Sequence, residues 1–375
     1  MVKICFCAIF KNESRNVYRC LNAAKEVIDY VSICDTGSTD NTVELIERWG
    51  NENKIPTKVH HETFKNFGYN RTLSVKLAKE SYPAADYILL LDADMILKVN
   101  KEWKKQKKII NDDYYMFNQK NDSLQYWNVR MIKASYEWKC VGVTHEYWEC
   151  ISKKDAHREK LTSLWIDDRE DGGCKDDKYE RDERLLLKGL NEETDSHLLG
   201  RYKFYLAQTY RCMNNYPKAI QWYRERIKHD GWDEEIFYSQ LQIGICYEKL
   251  KSYEEAAGEY LLAWDKRPHR AEPLYYLSKM YRENSKHLLS YTFAKQGLDI
   301  SYPKDDSLFI EYKTYLYKFH FEISICAWYL GQKFPEKKAE YHAEGLKSAS
   351  YILSLGDQVP QREIERTKEN IKFYL

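Results

Sequence analysis

The chain has 375 residues, 43% of them hydrophobic, and 59 basic against 58 acidic side chains for a formal net charge of +1. That length suits two domains, each with its own core, and the balanced charge excludes the basic stripe of a nucleic-acid-binding protein. Ten cysteines without CxxC pairing and no apolar run near ~18 residues argue for reduced thiols in a cytoplasmic protein with no transmembrane segment. Val2 to Phe10 is apolar but lacks the basic leader and cleavage site of a signal peptide, so it reads as a first buried strand. It stops at the polar Lys11-Asn12-Glu13-Ser14. Val17, Leu21, Ala24 and Ile28 then recur at helical spacing.

Tyr30 to Cys34 reads as a second strand, running into Asp35-Thr36-Gly37-Ser38-Thr39-Asp40-Asn41-Thr42 and a helix marked by Val43, Ile46 and Trp49. Gly37 permits a tight turn, Asp40 or Asn41 can cap the helix, and the free N–H groups there favour an anion. A well-capped turn without a ligand satisfies the same pattern. Lys58 to His61 is a third strand, and Leu73, Leu77 and Ala78 mark the helix after it. Arg71 begins that helix, where its guanidinium suits a phosphate or simply faces solvent.

Tyr87 to Met95, Tyr-Ile-Leu-Leu-Leu-Asp-Ala-Asp-Met, reads as a strand covered on both faces of a parallel-type sheet and ending in two carboxylates. Ligands of open α/β sheets bind at that carboxyl edge. An extended Asp92-Ala93-Asp94 puts two hard oxygen donors on one side, suited to Mg²⁺ or Mn²⁺ and the diphosphate it neutralises.

Lys11-Asn12-Glu13, Asp35 to Asp40, Phe67 to Arg71 and Leu91 to Asp94, in this order, resemble the nucleotide-sugar-binding half of a family 2 glycosyltransferase with a GT-A fold. The resemblance covers roughly residues 1–180. It implies that Asp35 contacts the nucleotide base or ribose, that Asp92 reaches the ribose or the metal, and that Asp94 ligates the metal on the diphosphate. Asn12, Glu13, Ser38, Asp40 and Arg71 fall in the same donor pocket by analogy.

Asn100 to Lys108 reads as a helix or loop, and Tyr114 to Phe117 and Tyr126 to Ile132 as strands around a turn at Lys120-Asn121-Asp122-Ser123. Gly142-Val143-Thr144-His145-Glu146 looks like the family's Gly-x-x-His-Glu, which implies Glu146 as the acceptor-side base, with His145 a competing base or metal ligand. A carboxylate suits that task if it lies within hydrogen-bond reach of the acceptor hydroxyl. Without the upstream motifs, a local His-Glu hydrogen bond would explain the pair. Trp138 is suited to stacking on a sugar face or to burial. Leu161 to Ile166 is a last strand. Where many relatives carry a histidine that completes the metal shell, this chain has Asp168. Gly172-Gly173 offers a hinge, and Lys175, Lys178 or Arg181 could close over the diphosphate unless the stretch is a solvated linker.

From Arg184 helical spacing takes over. Leu206, Ala207, Tyr210, Ala219 and Tyr223 match Ile243, Gly244, Tyr247, Ala256, Tyr260, Ala263 and Pro268, with a looser copy at Leu277, Ser278, Tyr281, Ala294 and Gly297. The offset is close to the ~34 residues of a tetratricopeptide repeat. Phe309 to Leu330 and Ala339 to Leu355 extend the stack.

The expected architecture is therefore an α/β GT-A domain with a Rossmann-like, mostly parallel sheet over 1–180, followed by an all-α tetratricopeptide-like domain over 181–375. The expected activity is metal-dependent, inverting transfer from a nucleotide sugar, a UDP-sugar above all, to a glycan or protein acceptor. The groove of the repeats suits an acceptor, a protein partner or a second copy of the chain. Two other classes fit less well: a nucleotidyltransferase, which would carry a Gly-rich loop where this chain has Lys11-Asn12-Glu13-Ser14, and a repeat scaffold with an inactive transferase half.

Overall fold

The computed structural model describes residues 2–120, 125–172 and 177–374. The expected turn residues Asn121, Asp122 and Ser123, and the hinge and lid residues Gly173 and Lys175, lie outside them. The chain divides into two compact units, Met1–Gly189 and Leu190–Leu375.

In the first unit the elements run β1 (Ile4–Phe10), α1 (Val17–Ala24), β2 (Tyr30–Asp35), α2 (Thr42–Asn53), β3 (Thr57–His61), α3 (Phe67–Ser81), β4 (Tyr87–Leu90), β5 (Met95–Val99) and α4 (Trp103–Gln106). They continue with β6 (Tyr114–Lys120), β7 (Gln125–Lys133), β8 (Trp138–Val141), β9 (Tyr147–Cys150), β10 (Arg158–Asp168) and α5 (Lys178–Glu192). The division between the units falls within α5. Eight strands form one sheet in the order β3-β2-β1-β4-β7-β6-β10-β5, and β8 and β9 pair separately as an antiparallel ribbon. The run β3-β2-β1-β4 is parallel. β7 is antiparallel to β4 and β6, β10 is parallel to β6, and β5 is antiparallel to β10.

Alternation along β1 explains why both faces of the sheet are buried. Ile4, Phe6, Ala8 and Phe10 face α1 and α2, where Val17, Leu21, Ile46 and Trp49 complete one core. Cys5 and Cys7 face the other side, with Ile88, Leu90, Val75, Ala78 and Trp138. The order β2-β1-β4 reverses direction between β1 and β4, which places a topological switch point at their carboxyl ends.

One sequence expectation changes here, and the choice left open at Trp138 closes in favour of burial. The central strand is shorter than its apolar run: β4 ends at Leu90, and Asp92 to Met95 is a turn in which Met95 N donates to Asp92 O at 3.1 Å. The chain leaves that turn as β5, which pairs with β10 and was not legible because Met95–Val99 is short and followed by polar residues. Trp138 is buried, donates from Nε1 to Lys133 O at 2.9 Å and packs edge-on against Tyr114. It is a core residue with no ring face left for a sugar.

The second unit holds α6 (Ser196–Cys212), α7 (Tyr216–Ile227), α8 (Asp233–Lys249), α9 (Tyr253–Lys266), α10 (Glu272–Glu283), α11 (His287–Leu298), α12 (Phe319–Lys333), α13 (Lys338–Ser354) and α14 (Gln361–Ile371). Each packs on the next in sequence, as helical repeats do. Leu206, Ala207, Tyr210, Ala219, Tyr223, Ile243, Ala256, Tyr260, Ala263, Leu277 and Ala294 are all buried. The repeat positions therefore build core. Residues 299–318 connect α11 to α12, and a buried ion-pair cluster holds them: Arg270 lies 3.2 Å from Asp306 and 3.0 Å from Glu272.

Candidate functional site

The carboxyl ends of β1, β2 and β4 carry most of the residues singled out above. At the end of β1 the chain turns through Asn12, whose φ of +54° lies in the left-handed region that asparagine tolerates. Asn12 Oδ1 accepts from Thr39 N at 2.7 Å, and Asn12 N donates to Ser38 Oγ at 2.9 Å. Asp40 accepts from Ser14 N at 3.2 Å and from Thr42 N at 3.1 Å. Burial raises the Asp40 carboxyl, but hydrogen bonds from Thr42 and Ser14 outweigh it and hold the group below its ordinary value. Glu13 N donates to Thr42 Oγ1 at 2.8 Å, and Asn16 Nδ2 donates to Glu13 Oε2 at 2.8 Å. Asn12, Ser38 and Asp40 thus lock the first two loops together. Asp35 is buried at the end of β2, its carboxylate accepting from Gly37 N and Ser38 N, both at 3.2 Å.

Asp92 and Asp94 do not share one side, because the backbone turns between them. Asp92 Oδ1 lies 2.7 Å from Arg71 Nη2, and its Oδ2 lies 3.8 Å from Arg130 Nη1. Burial pushes Asp92 up, yet Arg71 and Arg130 together hold it below the usual carboxylate value. Arg71 Nε lies 2.6 Å from Glu146 Oε1. That contact is an ion pair at an angle that makes no hydrogen bond. The three side chains are 17%, 24% and 15% exposed for Arg71, Asp92 and Glu146, so these charges meet largely out of water.

Glu146 reaches Arg71 because its loop is tied to the start of α3. Phe67 N donates to Val143 O at 3.0 Å and Gly68 N to Gly142 O at 3.1 Å. The approach requires glycine at 68, since a Cβ there would lie 2.2 Å from Gly142 O. Asn66 caps the helix by accepting from Tyr69 N at 2.8 Å. His145 adopts a φ of +51° and is exposed, while Glu146 turns inward. Behind the loop, Asp182 accepts from Thr144 Oγ1 at 3.3 Å, and burial raises its carboxyl above the ordinary value. Of the expected lid cations, Arg181 lies over the Phe67 ring with 5.3 Å to its centroid, and Lys178 is exposed.

Asp94 belongs to a neighbouring cluster. A Cβ on Gly172 would lie 3.2 Å from Asp94 Oδ2 and 3.3 Å from Glu13 Oε1, so both carboxylates face the space beside this residue. Arg169 N donates to Asp94 O at 3.2 Å. Arg19 holds the Asp171 carboxylate through both terminal nitrogens at 2.8 and 2.5 Å, and Arg15 donates to Asp171 O at 2.6 Å. Asp168 sits opposite Met95, the residue after Asp94, in the sheet register and accepts from Gln119 Nε2 at 2.7 Å. Among the described residues no three His, Cys, Asp or Glu side chains converge as a ready-made metal cage.

Gln119 and Arg130 escaped sequence reasoning. Arg130 stands in an apolar stretch, Val129-Arg130-Met131-Ile132, where a charged residue between buried neighbours was the available signal. Arg15 and Arg19, on the first loop and helix, were missed because their partner Asp171 is far away in sequence.

Residues 5–152 match the family model described as glycosyl transferase family 2. This segment is a family 2 glycosyltransferase domain. The chain is 30% identical over 120 residues to an uncharacterized glycosyltransferase of Rickettsia felis, covering 31% of this chain and 38% of that protein. A second, from Rickettsia conorii, is 31% identical over 118 residues, covering 30% of this chain and 37% of the relative. The match therefore spans well under half the length of these relatives. Among solved structures, TarS of S. aureus aligns with a TM-score of 0.40 at 13% identity over 69% of this chain and 55% of that one. A 1–349 form of TarS, solved in complex with UDP, gives 0.35 at 13% identity over 71% and 92%. MamA from Desulfovibrio magneticus gives 0.33 at 14% identity over 45% of this chain and 85% of its own.

Proposed function

We propose that the transferase domain moves a sugar from a nucleotide sugar, a UDP-hexose above all, to a hydroxyl of a glycan or protein acceptor with inversion at the anomeric carbon. The observation that carries this reading is the Asp92–Arg71–Glu146 chain, which joins the turn after the central strand to the loop bearing the candidate base. In the reaction the acceptor oxygen bonds to the anomeric carbon, the bond from that carbon to the diphosphate oxygen breaks, and the diphosphate leaves with the electron pair. Glu146 takes the acceptor's proton. One displacement with one base and no enzymic nucleophile inverts the centre. His145 stays the alternative base.

On the donor side, Asp35 is assigned to the base or ribose, with Asn12, Glu13, Ser38 and Asp40 shaping the wall. Arg71 and Asp92 complete it toward the reacting bond. Asp94 and Glu13 bring hard oxygen donors to one space beside Gly172. That set fits a divalent cation of the Mg²⁺ kind, which is held by one or two carboxylates while substrate phosphates supply other ligands. Asp94 would hold Mn²⁺ or Mg²⁺, with Asp168 as a further ligand if it leaves Gln119. A bound cation would offset the charge that builds on the departing diphosphate.

We assign the catalytic domain to residues 1–180 and the repeat domain to 181–375, place the protein in the cytoplasm, and give the repeats the task of engaging the acceptor or a protein partner. The deciding experiment is UDP release from a panel of UDP-sugars with Mn²⁺, Mg²⁺ or chelator. Metal-dependent release from one sugar that vanishes in Asp94→Ala supports the class and the metal role together. Glu146→Gln should still bind donor and lose turnover, and a fully active Gln variant sinks the base assignment.

A further inference from the structure

Gln119 and Arg130 stand at the far end of the charge chain that reaches Glu146, and the family match assigns neither a role. Arg130 donates to Gln119 Oε1 from Nε at 3.1 Å and from Nη2 at 2.6 Å, leaving Nη1 directed at Asp92 Oδ2, 3.8 Å away. Gln119 is gripped from its other end as well, since its Nε2 donates to Asp168 at 2.7 Å. Both Gln119 and Arg130 are buried, at 2% and 8% exposure. A guanidinium so enclosed, with two of its nitrogens held by one amide oxygen, has little freedom to turn.

The charges explain what this arm does. Asp92 and Glu146 share Arg71, and one guanidinium leaves two carboxylates with a net negative charge. Uncompensated charge away from water is strongly unfavourable. Arg130 brings the four-group cluster to neutrality by standing beside the Asp92 oxygen that Arg71 does not take. We propose that Arg130, oriented by Gln119, is a positioning residue of the transfer reaction, holding Asp92 so that Arg71 remains on Glu146. This rests on the reading of Glu146 as the base. Without Arg130, both Asp92 oxygens compete for Arg71, and the Arg71–Glu146 contact, which has no hydrogen bond at Nε, is the one that yields. Glu146 then loses its anchor, although nothing that touches the donor has been removed.

The test uses the full chain and the donor sugar identified by UDP release, with water or the acceptor as the nucleophile. Arg130→Met should lower kcat on the order of 10- to 100-fold, the scale expected for a misplaced catalytic group. Its donor KM and its affinity for UDP should change far less than kcat, because Asp92 stays on Arg71. Arg130→Lys, which keeps the charge without the double donation to Gln119, should recover part of the loss. Gln119→Leu, which keeps Arg130 but frees it, should fall between. Against the residual rate left by Glu146→Gln, Arg130→Met should add no further loss, because both act on one step. Wild-type kcat in Arg130→Met, a loss confined to donor KM, or independent losses in the double variant would each overturn the proposal. If Arg130→Met does not fold, Arg130→Lys and Gln119→Leu carry the same comparison. An active Glu146→Gln would instead remove the base reading, which separates the two failures.

Discussion

Glu146 and His145 are neighbours in sequence and opposites in space. The left-handed backbone at His145 leaves that imidazole exposed and turns Glu146 onto Arg71. A dipeptide motif alone could not separate the two, because their settings differ by a contact with a residue on a helix remote in sequence. Asp92 and Asp94 separate in a similar way: the turn between β4 and β5 sends one to the arginines and the other toward Glu13 and Gly172. The cysteines, by contrast, follow their sequence setting. Burial pushes Cys7 and Cys34 up to about 12, with Cys7 also hydrogen-bonded to Ser74. Cys212 is exposed. Brief alkylation of the folded protein at pH 8, read by mass spectrometry, should therefore modify Cys212 and spare Cys5, Cys7, Cys34, Cys246 and Cys326, since the thiolate is the reactive form. Labelling of the β1 thiols under native conditions would contradict the two-sided burial of that strand.

The elements that bear the site depend on close backbone approaches. The loop before β9 reaches the start of α3 only because Gly68 has no side chain to strike Gly142 O. Gly68→Ala should destabilise the first unit by roughly 1–3 kcal/mol, the range for overpacking a tight contact. It should also depress UDP release more than Asn66→Ala, which removes only the cap, because the displaced loop carries Glu146. Thermal unfolding with donor turnover measures both, and an unchanged melting temperature in Gly68→Ala would argue against the tight junction. Most of the fold at this scale was legible. The apolar runs of β1, β2 and β4, and the helical spacing after β1 and β2, each mark an element whose burial is decided by local pattern. β5 and the β8–β9 ribbon were harder, since short strands are held by partners remote in sequence.

Across the whole chain, the two units are built on different bonding. The first buries apolar strands between helices and keeps its enclosed ion pairs at the edge of the sheet, whereas the second sets wholly buried ion pairs among its helices. Arg270 is wholly buried and joins Glu272, Asp306 and the Leu308 carbonyl. Arg270→Met should cost about 3–5 kcal/mol, because it leaves the wholly buried Glu272 carboxylate without its cation. The same cluster predicts acid sensitivity. Burial raises the Asp306 carboxyl, but Arg267, His269 and Arg270 outweigh it and leave the group below its ordinary value. A depressed folded-state value contributes stability above the unfolded one, near ~3.9, and that contribution is lost as pH falls through the folded value. Acid titration followed by circular dichroism should show wild-type helices melting in that window and the Asp306→Asn variant losing less stability across it. Equal acid dependence in the two proteins would refute the assignment.

The sequence by itself determined the two-part architecture, the order of the main strands and helices, and the residues at the carboxyl edge of the sheet. Those properties follow from periodic burial and from motifs that lie within one loop. Only the tertiary structure decided that Asp92 is spent on Arg71 and Arg130, that Asp94 faces Glu13, and that Gln119 and Arg130 join the site. Each of those outcomes brings together polar or charged groups from segments remote in sequence, and the cost of leaving such groups unpaired is set by burial, which no local pattern encodes.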